Sequence, residues 1–162
     1  MQIAIVSDTH LPRGARRLPA VCVERLRAAD LILHAGDLST LAVLRELEAY
    51  GPVVAVHGNV DEAALRATLP ANAEIEAGGA KIALTHDAGP ARGRLARLRS
   101  RFPDADAVIF GHSHLPLHER ADDGFQIFNP GSPTERRRAP ACTMGMAHAQ
   151  DGKLTFELVT LG

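Results

Sequence analysis

Aspartate, asparagine and histidine side chains recur after short apolar stretches of the chain, and these side chains bind metal ions. Seven of them stand after predicted strands: Asp8, His10, Asp37, Asn59, His86, His112 and His114. In open α/β sheets, ligand sites lie beyond the carboxyl ends of the strands, where successive loops converge in space. The pattern therefore predicts one metal site built from distant parts of the chain.

The spacing of these residues supports the same prediction. Asp8-Thr9-His10 and His112-Ser113-His114 each separate two candidate ligands by one residue. In extended backbone, residues two apart project to the same side, so each pair is expected to bind one ion. Glycine precedes three of the ligand positions, as Gly36, Gly58 and Gly111, which allows sharp turns and close approach of the backbone.

The types of donor atom narrow the choice of metal ion and of substrate. Two carboxylates, one amide and four imidazoles, with no thiolate among them, suit Mn, Fe, Zn, Ni or Co better than Ca and differ from structural zinc sites. Seven donors exceed the need of one tetrahedral ion, whereas two ions about 3.5 to 4 Å apart with a bridging carboxylate would use them all. Two divalent ions carry four positive charges, of which the two carboxylates balance two. A hydroxide and a phosphodiester anion would balance the other two. We therefore expect two divalent transition-metal ions, manganese before the others, and a small phosphodiester substrate.

Alternating strands and helices position the first ligands. Strands are predicted over residues 2–7, 30–35 and 52–57, with helices over 19–29 and 41–50 between them. This alternation indicates parallel strands joined by right-handed crossovers.

The second half of the chain has a different pattern. Predicted strands over 73–77 and 81–85 flank Gly78-Gly79 as a hairpin, and residues 89–101 are predicted as a helix. A strand over 107–110 follows, then two hairpins that pair 117–121 with 125–128 and 143–149 with 154–159. We predict one α/β domain over residues 1–162, with mixed sheets.

Composition excludes several classes of function. The 162 residues carry 18 Lys and Arg against 19 Asp and Glu, a net charge of -1, which disfavours general nucleic-acid binding. Cys22 and Cys142 are too few for a disulfide framework and are expected to be free thiols in a reducing compartment. No basic leader and no long apolar segment is visible, so we expect a cytoplasmic protein that does not enter a membrane.

Six short motifs occur together in one order: Asp8-Thr9-His10, Gly36-Asp37, Gly58-Asn59-Val60-Asp61, Thr85-His86, Gly111-His112-Ser113-His114 and Asn129-Pro130-Gly131-Ser132. This set resembles the calcineurin-like metallophosphoesterase superfamily, and in particular its small YfcE-like phosphodiesterases, nearly end to end. The resemblance implies a four-layer αββα sandwich of two mixed β-sheets flanked by helices. It also implies a dinuclear-metal-dependent phosphodiesterase in which a hydroxide that bridges the metals attacks phosphorus in line, and a homodimer as a common state.

The resemblance also implies a division of the ligands. One metal would be held by Asp8, His10, Asp37 and His114, and the other by Asp37, Asn59, His86 and His112, with Asp37 as the bridge. We assign catalytic roles to Asp37, Asn59 and Asp61. For Asp61, support of the metal loop and capping of a helix that begins at Glu62 are both consistent with the sequence.

Two departures from the family pattern bear on the activity. Val60 stands where many members carry a histidine thought to act as general acid, and the smaller relatives often have cysteine there. Asp87 and Ala88 stand where glycine and a second histidine are usual. We therefore hypothesise a modest activity that favours diesters whose leaving group needs little protonation, such as aryl esters.

Other interpretations stay open. The main alternative is a non-catalytic metal-binding scaffold of the same fold, like the retromer subunit. A serine hydrolase is suggested by Gly111-His112-Ser113, although Leu115 stands where its motif requires glycine. His34 and His57 are interpreted as packing residues, with orientation of the ligands as the alternative. The arginines of residues 92–101 are interpreted as a solvated helix face.

Overall fold

The computed structural model describes residues 1–162 as ten strands and four helices. The helices are α1 (Ala20–Ala28), α2 (Leu41–Glu48), α3 (Ala63–Thr68) and α4 (Arg94–Arg101). The strands are β1 (Gln2–Val6), β2 (Leu31–His34), β3 (Val53–Ala55), β4 (Asn72–Ala77), β5 (Ala80–Thr85), β6 (Ala107–Ile109), β7 (Leu117–Arg120), β8 (Gln126–Asn129), β9 (Thr143–Gln150) and β10 (Lys153–Thr160).

The strands form two mixed sheets of five. The first has the order β10-β9-β1-β2-β3, in which β1, β2 and β3 are parallel and the terminal hairpin is antiparallel. The second has the order β4-β5-β6-β8-β7, in which β5, β6 and β8 are parallel and two hairpin partners are antiparallel. The predicted parallel strands and the three predicted hairpins are therefore present.

Alternating side chains of the strands divide the core into layers. In β1, Ile3 and Ile5 pack between the two sheets against residues such as Ile82 of β5. Ala4 and Val6 of the same strand face the other way, into a cluster with residues of α1, α2 and α3. A third cluster packs α4 on the outer face of the second sheet. Because side chains of a strand point alternately to its two faces, two stacked sheets with helices outside satisfy every buried face. The predicted αββα sandwich is confirmed.

The fourth helix differs from its prediction. It begins at Arg94, not at Gly89, because Gly89 and Gly93 adopt φ angles of 73° and 70° and Pro90 lies between them. Its arginines are also not simply solvated: Arg94 Nη2 donates to Gly89 O at 2.9 Å, and Arg97 Nη2 donates to Ala88 O at 2.8 Å. The five arginines of residues 92–101 are exposed or half-buried, and the irregular loop before the helix supplies carbonyl groups that the guanidinium groups of Arg94 and Arg97 bind.

No helix of the structure combines the length and the apolar character needed to span a membrane.

Candidate metal centre

Five loops that follow strands meet at one end of the sandwich. The loop after β1 contributes Asp8 and His10, and the loops after β2 and β3 contribute Asp37 and Asn59. On the facing sheet, the segments after β5 and β6 contribute His86, His112 and His114. The structure thus brings together all seven side chains that the sequence indicated as ligands, as two adjoining groups.

We call Asp8, His10 and His114 the closed group, because each side chain is buried. The Nε2 atoms of His10 and His114 are 3.2 Å apart, and His114 Nε2 is 3.4 Å from Asp8 Oδ1. Two ligands bonded to one ion at about 2.1 Å stand roughly 3.0 to 3.4 Å apart. These three side chains therefore have the spacing of ligands to a single ion.

We call Asp37, Asn59, His86 and His112 the open group, because Asn59 and His112 are exposed to solvent. His86 Nε2 lies 3.2 Å from Asp37 Oδ2 and 3.0 Å from Asn59 Oδ1. His112 Nδ1 lies 3.2 Å from the same Asn59 oxygen. The four donors converge as the closed group does, but on a place that solvent can reach.

Asp37 lies between the two groups. Its Oδ2 atom is 3.2 Å from His86 Nε2 in the open group and 3.7 Å from His10 Nε2 in the closed group. Its Oδ1 atom accepts the N–H of Val60 at 3.0 Å, which orients the carboxylate. One oxygen within reach of both groups has the position that a bridging carboxylate needs.

Hydrogen bonds outside the centre set the histidine tautomers. His86 Nδ1 donates to Ala35 O and His114 Nδ1 donates to Glu135 O, both at 2.7 Å. A ring that donates through Nδ1 to a backbone carbonyl presents Nε2 inward as the atom for a metal. The residues thus fit a metal ion in donor type, spacing and orientation.

The backbone at the ligands is left-handed and not extended. The φ angles of Asp8, His10, Asp37, His112 and His114 are 53°, 46°, 60°, 69° and 58°. The prediction that the two spaced pairs lie in extended backbone is therefore wrong; sharp turns after the strands bring their side chains together. Such φ values cost non-glycine residues about 1 kcal/mol or more each, and strain of this kind concentrates at functional sites.

Asp61 joins the loops that carry the open group. Its Oδ2 accepts the N–H groups of Gly58 and Asp37 at 2.7 and 3.2 Å, and its Oδ1 accepts that of Ser39 at 2.7 Å. A Cβ atom at Gly58 would overlap Asp37 Oδ1, so the close approach expected of this glycine is present. These contacts make Asp61 a support of the metal loops; α3 begins two residues later, and no side-chain hydrogen bond caps it.

His34 and the Asn129–Ser132 loop make hydrogen bonds with residues next to the metal ligands. His34 Nδ1 accepts the N–H of Gly36 and its Nε2 donates to Thr9 Oγ1, both at 3.1 Å. Ser132 Oγ donates to Asp8 O at 2.8 Å, and Asn129 Nδ2 donates to Gly111 O at 3.0 Å. His34 therefore connects two ligand loops in addition to packing, which is the alternative that the sequence left open for it.

Electrostatics favour a cation at the centre. Burial raises the pKa of Asp8 to about 7. Burial opposes ionisation of Asp37 as well, but its hydrogen bond with His86 and the nearby imidazoles outweigh burial and lower its pKa to about 2. For His86, burial is outweighed by Asp37 and by the charge of Asp8, so its pKa is raised. A positive charge beside Asp8 and Asp37 would offset the cost of burying their carboxylates, and a metal ion would supply that charge.

Burial has the opposite effect on the histidines of the closed group. It lowers the pKa of His10, and it lowers the pKa of His114 to about 4. Both rings are therefore neutral near pH 7, which is the form that binds a metal.

Residues at the departures from the family pattern lie beside this centre. The Val60 side chain is exposed while its N–H is bound to Asp37.

Ser113 Oγ accepts N–H groups of Leu115 and Asn129 at 3.2 and 3.1 Å, and it makes no hydrogen bond with an imidazole. These contacts do not favour a serine nucleophile, which needs an adjacent base.

Comparison with known proteins identifies the family. Residues 1–152 match the calcineurin-like phosphoesterase superfamily domain. The chain is 35% identical to a probable metallophosphoesterase of Methanothermobacter thermautotrophicus over 100% of this chain and 94% of the relative. It is 29% identical to a phosphodiesterase of Methanocaldococcus jannaschii over 81% of this chain and 83% of the relative. The crystal structure of Entamoeba histolytica Vps29 complexed with zinc is similar, with a TM-score of 0.78, 25% identity and 100% coverage of both chains. The chain belongs to the calcineurin-like phosphoesterase superfamily.

Proposed function

We propose that this protein is a dinuclear-metal-dependent phosphodiesterase. The observation that carries the proposal is the position of Asp37 Oδ2, 3.2 Å from His86 in the open group and 3.7 Å from His10 in the closed group. A shared carboxylate between two ligand groups suits a pair of ions that act on one phosphoryl group. The relatives named as a metallophosphoesterase and a phosphodiesterase support the same reaction class.

The ligand division follows the two groups. Asp8, His10, Asp37 and His114 would hold one ion, and Asp37, Asn59, His86 and His112 the other, with Mn²⁺ as the ion we propose. When bound, the ions supply a water of lowered pKa and stabilise negative charge that develops on the phosphoryl oxygens. The chain's part is orientation: the backbone carbonyls of Ala35 and Glu135 direct two imidazoles inward, and the Val60 N–H directs Asp37.

Asp61 has a positioning role in this proposal and not a direct one. Both of its oxygens accept backbone N–H groups of the ligand loops. Asp37 and Asn59 keep the catalytic roles assigned from the sequence, because their oxygens belong to the open group.

Position 60 offers no acidic side chain that could protonate the leaving group. The Val60 side chain cannot donate a proton, so diesters with acidic leaving groups, such as aryl esters, are expected to be preferred. Installing Val60→His should raise turnover of alkyl diesters more than that of aryl diesters. An unchanged ratio of alkyl to aryl turnover would count against a missing acid at this position.

Turnover of a panel of phosphomonoesters and phosphodiesters tests the proposal, with Mn²⁺, Zn²⁺, Fe²⁺, Ni²⁺ and Co²⁺ supplied one at a time to metal-stripped protein. We expect hydrolysis of bis(p-nitrophenyl) phosphate that requires metal and is lost in Asp37→Ala. Metal-independent hydrolysis, or equal activity of Asp37→Ala, would overturn the dinuclear mechanism.

A non-catalytic scaffold is the second candidate, and the similarity to Vps29 favours it. That similarity covers the whole chain, and one of the Vps29 structures was determined with zinc. The scaffold role predicts stoichiometric metal binding without turnover. Metal content by mass spectrometry, measured on the same sample as the turnover panel, separates the two functions.

A further inference from the structure

A cleft of about 320 Å³ lies beside the open group. Asn59 and His86 line it on the side of the metal centre. Arg66 of α3 and Arg101 at the end of α4 line it with Asn72 and Asp87. A group bound here would be continuous with whatever the open group binds.

The two arginines of this cleft have no carboxylate partner. No acidic oxygen lies within 4.0 Å of either guanidinium, whereas Arg99 on the same helix as Arg101 pairs with Asp123 at 2.7 Å. Because neither guanidinium is paired with an acid, the positive charge of each is available to an anion bound beside the open group.

Both guanidinium groups are held in place and keep free donors. Arg101 Nη2 donates to Asn72 Oδ1 at 2.8 Å and Nη1 donates to Asp87 O at 3.3 Å. Arg66 Nε donates to Asp61 O at 3.1 Å, and its Nη2 donates to Asn59 O. Each side chain thus uses two of the five N–H donors of a guanidinium group and retains the others.

The composition of the cleft favours an anion over an apolar group. One of its ten lining residues is hydrophobic, and Asp87 is the one carboxylate against Arg66 and Arg101. Asp87 Oδ1 already accepts the N–H of Gly89 at 2.8 Å. Planar guanidinium groups with free donors recognise phosphate oxygens in pairs.

We infer that this cleft binds a second, terminal phosphate of the substrate, so that the preferred diester carries a phosphomonoester group in addition to the scissile phosphorus. Arg101 and Arg66 are then specificity-determining residues. The inference rests on the proposed phosphodiesterase function and adds to it the class of substrate.

A matched pair of substrates tests the inference. Thymidine 5′-(p-nitrophenyl phosphate) and its 3′-phosphorylated form share the nucleoside, the scissile diester and the leaving group. In both, the oxygen of water bonds to the 5′-phosphorus, the bond between phosphorus and the p-nitrophenyl oxygen breaks, p-nitrophenolate departs and the proton of the water passes to solvent, so the rates differ only through the 3′-phosphate. We expect kcat/KM of the manganese-loaded protein to be at least about tenfold higher for the 3′-phosphorylated ester, mainly through KM. This advantage should shrink as ionic strength rises.

Variants of α4 assign the preference to the cleft. Arg101→Gln should lower kcat/KM for the 3′-phosphorylated ester by roughly tenfold and leave bis(p-nitrophenyl) phosphate within about twofold, while Arg101→Lys should keep part of the preference. Arg99→Gln is the control, because it removes the same charge from the same helix at a side chain paired with Asp123. Arg66→Gln is less selective, since Arg66 also binds the carbonyl of Asn59.

The outcomes separate this inference from the function beneath it. Equal kcat/KM for the two esters, or equal effects of Arg101→Gln and Arg99→Gln, would overturn the phosphate cleft and leave the phosphodiesterase intact. A failure of the native protein to hydrolyse even bis(p-nitrophenyl) phosphate with metal would overturn the proposed function itself.

Discussion

The closed and open groups contain similar donors in different surroundings. In the closed group, Asp8, His10 and His114 are at most 8% exposed, and the loops around Ser132 and Glu135 cover them. In the open group, Asp37 and His86 are buried but Asn59 and His112 reach solvent. Burial removes competing water from the first group, whereas exposure leaves the second one accessible to a ligand from outside.

This difference teaches how one centre can hold a metal and still meet a substrate. An ion held by the closed group would be screened from solvent by the surrounding loops, while an ion held by the open group would face solvent and the cleft that contains Arg66 and Arg101. The closed group therefore suits retention of metal and the open group suits contact with substrate.

Removal of Asp37 should have the largest effect, because it breaks both groups together. For Asp37→Ala we expect the affinity for both ions to fall more than about 100-fold, beyond the 10- to 100-fold typical of residues outside the ligand shell. Metal content after dialysis, measured by mass spectrometry, and turnover of bis(p-nitrophenyl) phosphate check this. Retention of one full equivalent of metal would show that Asp37 serves only one group.

Removal of Asp61 should break the support of the open group alone. Asp61→Ala leaves three N–H groups of ligand loops without an acceptor, so we expect a loss of about 2 to 4 kcal/mol in the free energy of unfolding. Chemical denaturation of metal-free protein measures this loss.

Glu62→Ala is the matched control for Asp61→Ala, because the neighbouring carboxylate accepts one exposed N–H, from Leu41 at 2.7 Å. We expect it to cost about 1 kcal/mol. Equal losses for the two variants would contradict the role given to Asp61.

Single histidine changes sharpen the comparison between the groups. His114→Gln should reduce binding of the ion in the closed group by at least about 100-fold, because a buried ligand is lost and not merely a residue outside the ligand shell. His112→Gln should lower the affinity of the open group for its ion by a smaller factor, since water can replace an exposed imidazole. Titration of each metal-stripped variant with Zn²⁺ in a calorimeter separates the tighter site from the weaker one. If both variants lost affinity at the same site and by the same factor, the closed and open groups would not be separate metal sites.

The smallest effect expected is that of pH on the closed group. Burial raises the pKa of Asp8 to about 7, so below pH 7 a proton on Asp8 competes with the ion, and affinity should fall by up to about tenfold per pH unit. The lowered pKa values of His10 and His114 keep these rings neutral and add no competition near pH 7. Zn²⁺ titrations between pH 6 and 8 measure the slope for the closed group, and Asp8→Asn should reduce that slope, whereas the raised pKa of His86 gives the open group a pH dependence that this variant keeps. An affinity that is constant from pH 8 to 6 would contradict this assignment.

Local patterns in the sequence were sufficient for most of the architecture. Short β-branched stretches predicted the strands and the Gly78-Gly79 pair predicted the first hairpin, because strand period and turn chemistry depend on near neighbours in the chain. The helix over 89–101 was predicted too long, since the carbonyl groups of residues 88 and 89 bind arginine side chains nine and five residues further on and not helix N–H groups.

For the site, the sequence alone determined which donor types are present and that they follow successive strands. Only the tertiary structure decided that Asp37 reaches two groups, that five ligands take left-handed backbone, and that Asp61 and His34 hold the loops. It also decided that Arg66 and Arg101, from different helices, share one cleft. The physical reason is that residue type sets what a side chain can bind, whereas packing of one sheet against another sets the distances over which charges and hydrogen bonds act.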